Sequence, residues 1–184
     1  MNIWFISDTH FGHKRILEYC PESRPFASVE EHNAKIIENW NTVVDAEDII
    51  YVLGDFFLSN NSLISEILPQ LKGHIRLVRG NHDSDKRCEL YLDNGVEEIT
   101  DFKQLKYKDL NMLLCHYPVS NDDLAQQVLH RRSPRSTNFV WLYGHVHDQA
   151  PKGLVNGCFH VGVDTNDCKP VNAETIYQEW KNQK

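Results

Sequence analysis

Five short apolar runs in this chain each stop at side chains that can hold a metal ion. Ile3–Ile6 leads to Asp8-Thr9-His10, and Ile49–Leu53 leads to Gly54-Asp55. Ile75–Val78 leads to Arg79-Gly80-Asn81-His82-Asp83, and Met112–Cys115 leads to His116. Phe139–Tyr143 leads to Gly144-His145-Val146-His147. Carboxylate, amide oxygen and imidazole are the donors that divalent first-row ions accept. Glycine precedes three of the clusters and lets the backbone turn sharply and approach a bound ion closely. A lone Asp after a strand is ordinarily a turn or cap, and a lone His a surface or core residue, as we read His32, His74, His130 and His160. Five clusters, each at the end of an apolar run, point instead to one metal centre at one edge of a sheet.

Buried strands must deliver these side chains, and helices must cover the strands. Ser28 and Glu31 have capping-box spacing, and Val29, Ile36, Ile37, Trp40, Val43 and Val44 recur at helical intervals. A second helix is expected over 62–71, weakened by Pro69 and stopped near Gly73. Short helices are expected over 123–129 and 173–180. Cys158–Val163 reads as a further strand, and 96–100 and 104–108 as shorter ones joined to the next by a turn at Asp109-Leu110-Asn111. Strand and helix alternate at first, the pattern of βαβ units; later strands have less helix between them. The expected class is α/β, either a mixed sheet or two sheets face to face with helices outside.

The 184 residues suit a single domain over 1–184 with a real core. The net charge of −7 argues against a general nucleic-acid-binding surface, and phosphate handling would need metal ions or local arginines. Five cysteines, odd in number and without a CxxC pair, read as reduced thiols. Asp8 interrupts the N-terminal apolar run too early for a signal peptide, and no apolar stretch is long enough to span a bilayer. A cytoplasmic protein without membrane contact is expected. The most basic stretch, His130-Arg131-Arg132-Ser133-Pro134-Arg135, reads first as a solvated loop and second as a holder of an extra phosphate.

Asp8-x-His10, Gly54-Asp55, Gly80-Asn81-His82-Asp83, His116 and Gly144-His145-x-His147 together resemble the signature of the calcineurin-like metallophosphoesterase family, in its order. The short spacing resembles small, cap-less bacterial and phage members. The resemblance implies two packed mixed β-sheets flanked by helices and a pair of divalent ions, with Mn²⁺ favoured and Fe or Zn²⁺ as alternatives. It implies that Asp55 bridges, that Asp8, His10 and His147 complete one site, and that Asn81, His116 and His145 complete the other. It makes His82 the general acid or charge stabiliser. His13 and Arg79 are candidates for contact with substrate phosphate. The family's chemistry is attack on phosphorus by a metal-bridging hydroxide. A phosphodiesterase acting on a small phosphodiester or nucleotide is the leading expectation. A nuclease or phosphomonoesterase comes next, and a non-catalytic scaffold of the same fold last. In the family's protein phosphatases the second block continues as Asp-Arg; here Asp55 is followed by Phe56-Phe57, which argues against that activity.

Overall fold

The apolar runs form parallel strands in the computed structural model, which describes residues 1–119 and 138–183. The helix expected over 123–129 and the basic stretch from His130 to Arg135 lie outside the described residues. Strands β1 (Ile3–Ile6), β2 (Ile49–Val52), β3 (His74–Val78) and β4 (Glu98–Thr100) pair in parallel in that order. A short antiparallel strand, β10 (Val171–Asn172), closes the sheet beside β1. A second five-stranded sheet has the order β5 (Lys103–Tyr107), β6 (Leu110–Leu114), β7 (Phe139–Tyr143), β9 (Cys158–His160), β8 (Leu154–Val155). Its middle three strands are parallel and its edges antiparallel. Of the two arrangements the sequence allowed, the chain takes two mixed sheets with helices outside.

Side-chain alternation explains why the β1–β4 sheet is buried on both faces. Phe5, Tyr51, Leu53 and Val78 point to the second sheet and meet Met112, Leu114, Val140, Leu142 and Phe159. Ile6, Ile50, Val52, Ile75 and Leu77 point the other way, against Ile36, Trp40, Ile64, Ile67 and Tyr91 of the covering helices. Those helices are α2 (Val29–Val43), α3 (Ser62–Ile67) and α4 (Asp85–Asp93). A short α1 (Ile16–Tyr19) precedes them. The C-terminal α5 (Ala173–Asn182) adds Ile176, Tyr177 and Trp180 to the core between the sheets. Ser28 caps α2 by accepting from the Glu31 amide at 3.1 Å, as its spacing predicts. Among the described residues no helix is long and apolar enough to cross a membrane.

Three local expectations change. The second helix ends at Ile67 and finishes as a 3₁₀ turn over Leu68–Gln70, because Pro69 has no amide to donate to a continuing α-turn. The turn expected at Asp109-Leu110-Asn111 is a two-residue hairpin at Lys108-Asp109, with Tyr107 opposite Leu110 and Lys108 at φ 54°. Helix α4, absent from the sequence reading, starts directly after the Asn81-His82-Asp83 cluster.

The pair that follows Asp55 is pure core. Phe56 and Phe57 are fully buried, and their ring centroids lie 4.8 Å apart. Phe56 also stacks on Trp40 at 6.2 Å and contacts Tyr91 at 5.7 Å. These rings anchor the Asp55 turn to α2 and α4. Phe56→Ala is expected to cost about 3–5 kcal/mol in denaturant unfolding. It is also expected to weaken metal binding, because Asp55 loses its anchor.

Candidate metal centre

Because β1, β2 and β3 are parallel, their carboxyl ends share one edge of the first sheet. β6 and β7, also parallel, bring His116 and His145 to the same place. The two sheets meet there through a bridge between Ser7 and Gly162. Asp8, His10, Asp55, His145 and His147 all adopt the left-handed conformation, with φ of 57°, 47°, 54°, 73° and 52°. Side chains disfavour this region by about 1–2 kcal/mol per residue. Here it turns each chain abruptly off its strand.

Two groups of ligand-type atoms result, each within 4.8 Å: Asp8, His10 and His147, and Asp55, His116 and His145. Asp55 lies between them. Its Oδ2 is 3.6 Å from His10 Nε2 and 3.5 Å from His116 Nε2. Asn81 joins the second group, its Oδ1 3.0 Å from His116 Nε2.

The residues fit a bound cation. Both ring nitrogens of His10 are buried without a hydrogen-bond partner, which is costly unless something else satisfies them. His116 Nδ1 lies 2.8 Å from the Leu53 carbonyl, which can only accept, so Nδ1 carries the hydrogen. In the neutral ring Nε2 then presents a lone pair to the Asn81 Oδ1 and, at 3.2 Å, to His145 Nδ1. Two acceptors, His116 Nε2 and Asn81 Oδ1, facing each other at 3.0 Å call for a positive ion. Burial, then Arg24 and the neighbouring histidines, push the His10 imidazole well below its ordinary range. Burial and then His116 lower His145, against Asp8 and Asp55. Both rings therefore stay neutral at pH 7, as metal ligands must. Burial also lowers His147, but its bond to Asp164 and the charge of Asp8 outweigh that and raise it.

The remaining candidates surround these groups. His82 is 41% exposed at the mouth; its ring nitrogen is 3.9 Å from Asp55 Oδ2, and its amide donates to Asp55 Oδ1 at 3.0 Å. His13 packs on His10 with ring centroids 5.2 Å apart, and its buried Nδ1 has no partner. Arg79 donates to the Asp83 carbonyl and pairs with Asp85 at 2.7 Å and Asp101 at 4.0 Å, so it braces the loop after β3.

Sequence reasoning assigns no role to three groups, although Asp83 stands in the third cluster. Asp83 accepts from the amides of Asp55, Phe56 and Gly80 and from the Tyr91 hydroxyl, tying the second and third ligand loops together. Asp164 receives His147 Nδ1 at 2.9 Å, and Arg24 is buried against Asp164. Asp164 carries the signal that marks the others, since it ends the run Val161-Gly162-Val163. Arg24 has no such signal, because it sits between strands and reaches Asp164 across 140 positions. Cys20 lies in a group with His147 and Asp164; all five cysteines are unpaired.

A model of the calcineurin-like phosphoesterase superfamily domain matches residues 1–161. The chain is 40% identical over 185 residues to an uncharacterized protein from Methanocaldococcus jannaschii, covering 95% of this chain and 88% of that one. It is 27% identical over 190 residues to the gene 66 protein of Mycobacterium phage D29, covering 93% of this chain and 92% of that one. Among solved structures, the protein of unknown function AQ665 from Aquifex aeolicus is similar, with a TM-score of 0.76 and 30% identity. That match covers 96% of this chain and 98% of the other. The chain belongs to the calcineurin-like phosphoesterase superfamily.

The glycines permit the close approach of the loops. A Cβ on Gly144 would overlap Ser7 Oγ and Asp8 Oδ2, and one on Gly80 would overlap Asp55 Oδ1. Gly144→Ala is expected to lose about 1–3 kcal/mol of stability. It should also displace Asp8, so metal content measured by elemental analysis should fall. Full metal content in that variant would show that the Asp8 carboxylate has room to spare.

Proposed function

We propose that this superfamily member is a two-metal phosphohydrolase whose best substrates are small phosphodiesters or nucleotides. The observation that supports it most is Asp55 Oδ2, nearly equidistant from a histidine of each ligand group. In this reading Asp8, His10 and His147 hold one ion, Asn81, His116 and His145 hold the other, and Asp55 contributes to both. Divalent ions bound there would supply Lewis acidity, activating water and offsetting charge on the phosphate oxygens. The mixture of carboxylate, amide and imidazole donors favours Mn²⁺, with Fe or Zn²⁺ as alternatives.

The chain's own groups do the rest. The Asp8 carboxylate is oriented by the His145 amide, which donates to both of its oxygens at 3.0 Å. The Asp55 backbone is fixed by Asp83 from one side and by Phe56 packing from the other. His82, exposed beside Asp55, donates a proton to the leaving oxygen. His13 offers its unpartnered nitrogen at the wall of the site.

Charge favours a diester. A monoester dianion benefits from an additional guanidinium. Among the described residues, Arg24, Arg79 and Arg87 beside the site all donate to protein acceptors, and Arg15, whose charge bears on His13, lies over the Tyr19 ring. A diester carries one charge fewer and leaves less for them to offset. The net charge of −7 likewise disfavours long nucleic acids.

A hydrolysis screen of Mn²⁺-loaded protein against aryl phosphates, cyclic nucleotides, dinucleotides and single-stranded nucleic acids tests the substrate class. Diesters of low charge should lead it; preference for a monoester or a long single strand would reject the diester reading. Asp55→Asn should lose metal and activity while the fold survives. Wild-type turnover of an activated ester by that variant, or by EDTA-stripped protein, would rule out the two-metal mechanism. His82→Ala should lose about 10²–10⁴-fold with an alkoxide leaving group. It should lose less with nitrophenolate, which needs little protonation, and keep its metal. Equal losses for both leaving groups would remove His82 from the proton-donor role.

A further inference from the structure

One buried guanidinium joins two ligand residues that lie 139 positions apart in the chain. Arg24 is 1% exposed. Its Nε donates to Asp164 Oδ1 at 2.7 Å, and its Nη2 donates to Asp164 Oδ2 at 2.7 Å and to the Asp8 carbonyl at 2.7 Å. Its Nη1 lies 3.0 Å from His32 Nε2, which accepts because arginine can only donate. The Asp164 carboxylate is equally committed. Oδ1 also accepts from Ser23 Oγ at 2.8 Å, and Oδ2 faces His147 Nδ1 at 2.9 Å. An ionised carboxylate can only accept, so the hydrogen of a neutral His147 sits on Nδ1 and the lone pair on Nε2.

We infer that Arg24 and Asp164 are positioning residues that set the metal affinity of the Asp8/His10/His147 half of the centre. They do so by fixing the Asp8 backbone and the His147 tautomer. The inference rests on the two-metal reading above. A buried ion pair is poor value as pure stabilisation, since apolar residues of the same volume often serve as well. This pair has a geometric task instead. The two-pronged guanidinium holds the carboxylate in one plane, the carboxylate aims the imidazole, and a third hydrogen bond ties the strand-end carbonyl of Asp8 into the same frame. A carboxylate bonded to one ring nitrogen raises the basicity of the other, which is the one free to bind a metal. The other half of the centre meets this frame through the His145 amide, which donates to the Asp8 carboxylate, and is otherwise braced by its own contacts. His116 bonds to the Leu53 carbonyl, and the described hydrogen bonds of Asn81, His116 and His145 involve neither Arg24 nor Asp164.

Asp164→Asn separates this role from simple support of the fold. With its oxygen in the Oδ1 place, accepting from Arg24 Nε and Ser23 Oγ, the new amide would point hydrogens at Arg24 Nη2 and at His147 Nδ1, loosening the fork and pushing the proton onto Nε2. The test is release of Mn²⁺ from the loaded full-length protein against increasing EDTA, with unfolding followed in parallel. Wild type should surrender two equivalents at high chelator. Asp164→Asn should give up one of them about 10–100-fold more easily and keep the other. Arg24→Lys, which keeps the charge but loses the fork, should move the same equivalent in the same direction. Release of both equivalents as in wild type from folded Asp164→Asn would overturn the inference and leave the two-metal reading intact. A wild type that never holds two equivalents would overturn both. Should the variant fail to fold, the ¹⁵N histidine spectrum of the Zn²⁺-loaded wild type decides. A protonated Nδ1 and metal-bound Nε2 at His147 support the inference, and the reverse pattern contradicts it.

Discussion

Five proposed ligands of this centre stand in a backbone conformation that their side chains disfavour. Asp8, His10, Asp55, His145 and His147 account for five of the nine non-glycine residues with positive φ among those described. At about 1–2 kcal/mol each, the distortion is comparable to a large part of a domain's net stability. Such strain persists only where the surroundings over-determine it. Here they do. The sheet fixes where each strand stops, buried aromatic rings hold the Asp55 turn, and Asp83 joins two ligand loops through three backbone amides. Glycines 80 and 144 give the loops room to close on one another.

Electrostatics sets the second constraint. Asp8, Asp55, Asp83 and Asp164 are all nearly inaccessible to water, in a chain that is acidic overall. Arg24 offsets Asp164, and backbone amides and a tyrosine hydroxyl satisfy Asp83. Asp8 has the His145 amide and Ser7 Oγ. Asp55 has the His82 amide at one oxygen, while its Oδ2 faces three imidazoles at 3.5–3.9 Å, too far for hydrogen bonds. The least satisfied carboxylate oxygen and the doubly unpartnered His10 thus face one another. Bound cations would resolve both deficits at once, and the same positive charge would draw a phosphate to the site.

Much of this was legible in the sequence because it is local. Each of the five apolar runs ends within one residue of its strand's end, and the side chains just beyond them are the ones that converge. What escaped is non-local or masked. Arg24 belongs to the site only because the fold carries residue 164 back to it, and no spacing in the sequence encodes that. Asp164 had the same strand-end signal as the others but lay beyond the last histidine pair, where the motif had ended. Helix α4 was hidden because its N-cap, Ser84, follows directly on a cluster that reads as a loop, and its apolar face is small, with Cys88 and Tyr91 buried. Phe56-Phe57 looked like a departure from a motif; in the structure the pair is the anchor of Asp55.

In the proposed centre Asp55 would lie between two metal ions held by separate histidine groups. An anomalous-difference map from crystals of the Mn²⁺-loaded protein tests it most directly. Two peaks roughly 3.5–4 Å apart are expected. One should be bounded by Asp8, His10 and His147, the other by Asn81, His116 and His145, with Asp55 touching both. A single peak, or two peaks of which Asp55 touches only one, would contradict it.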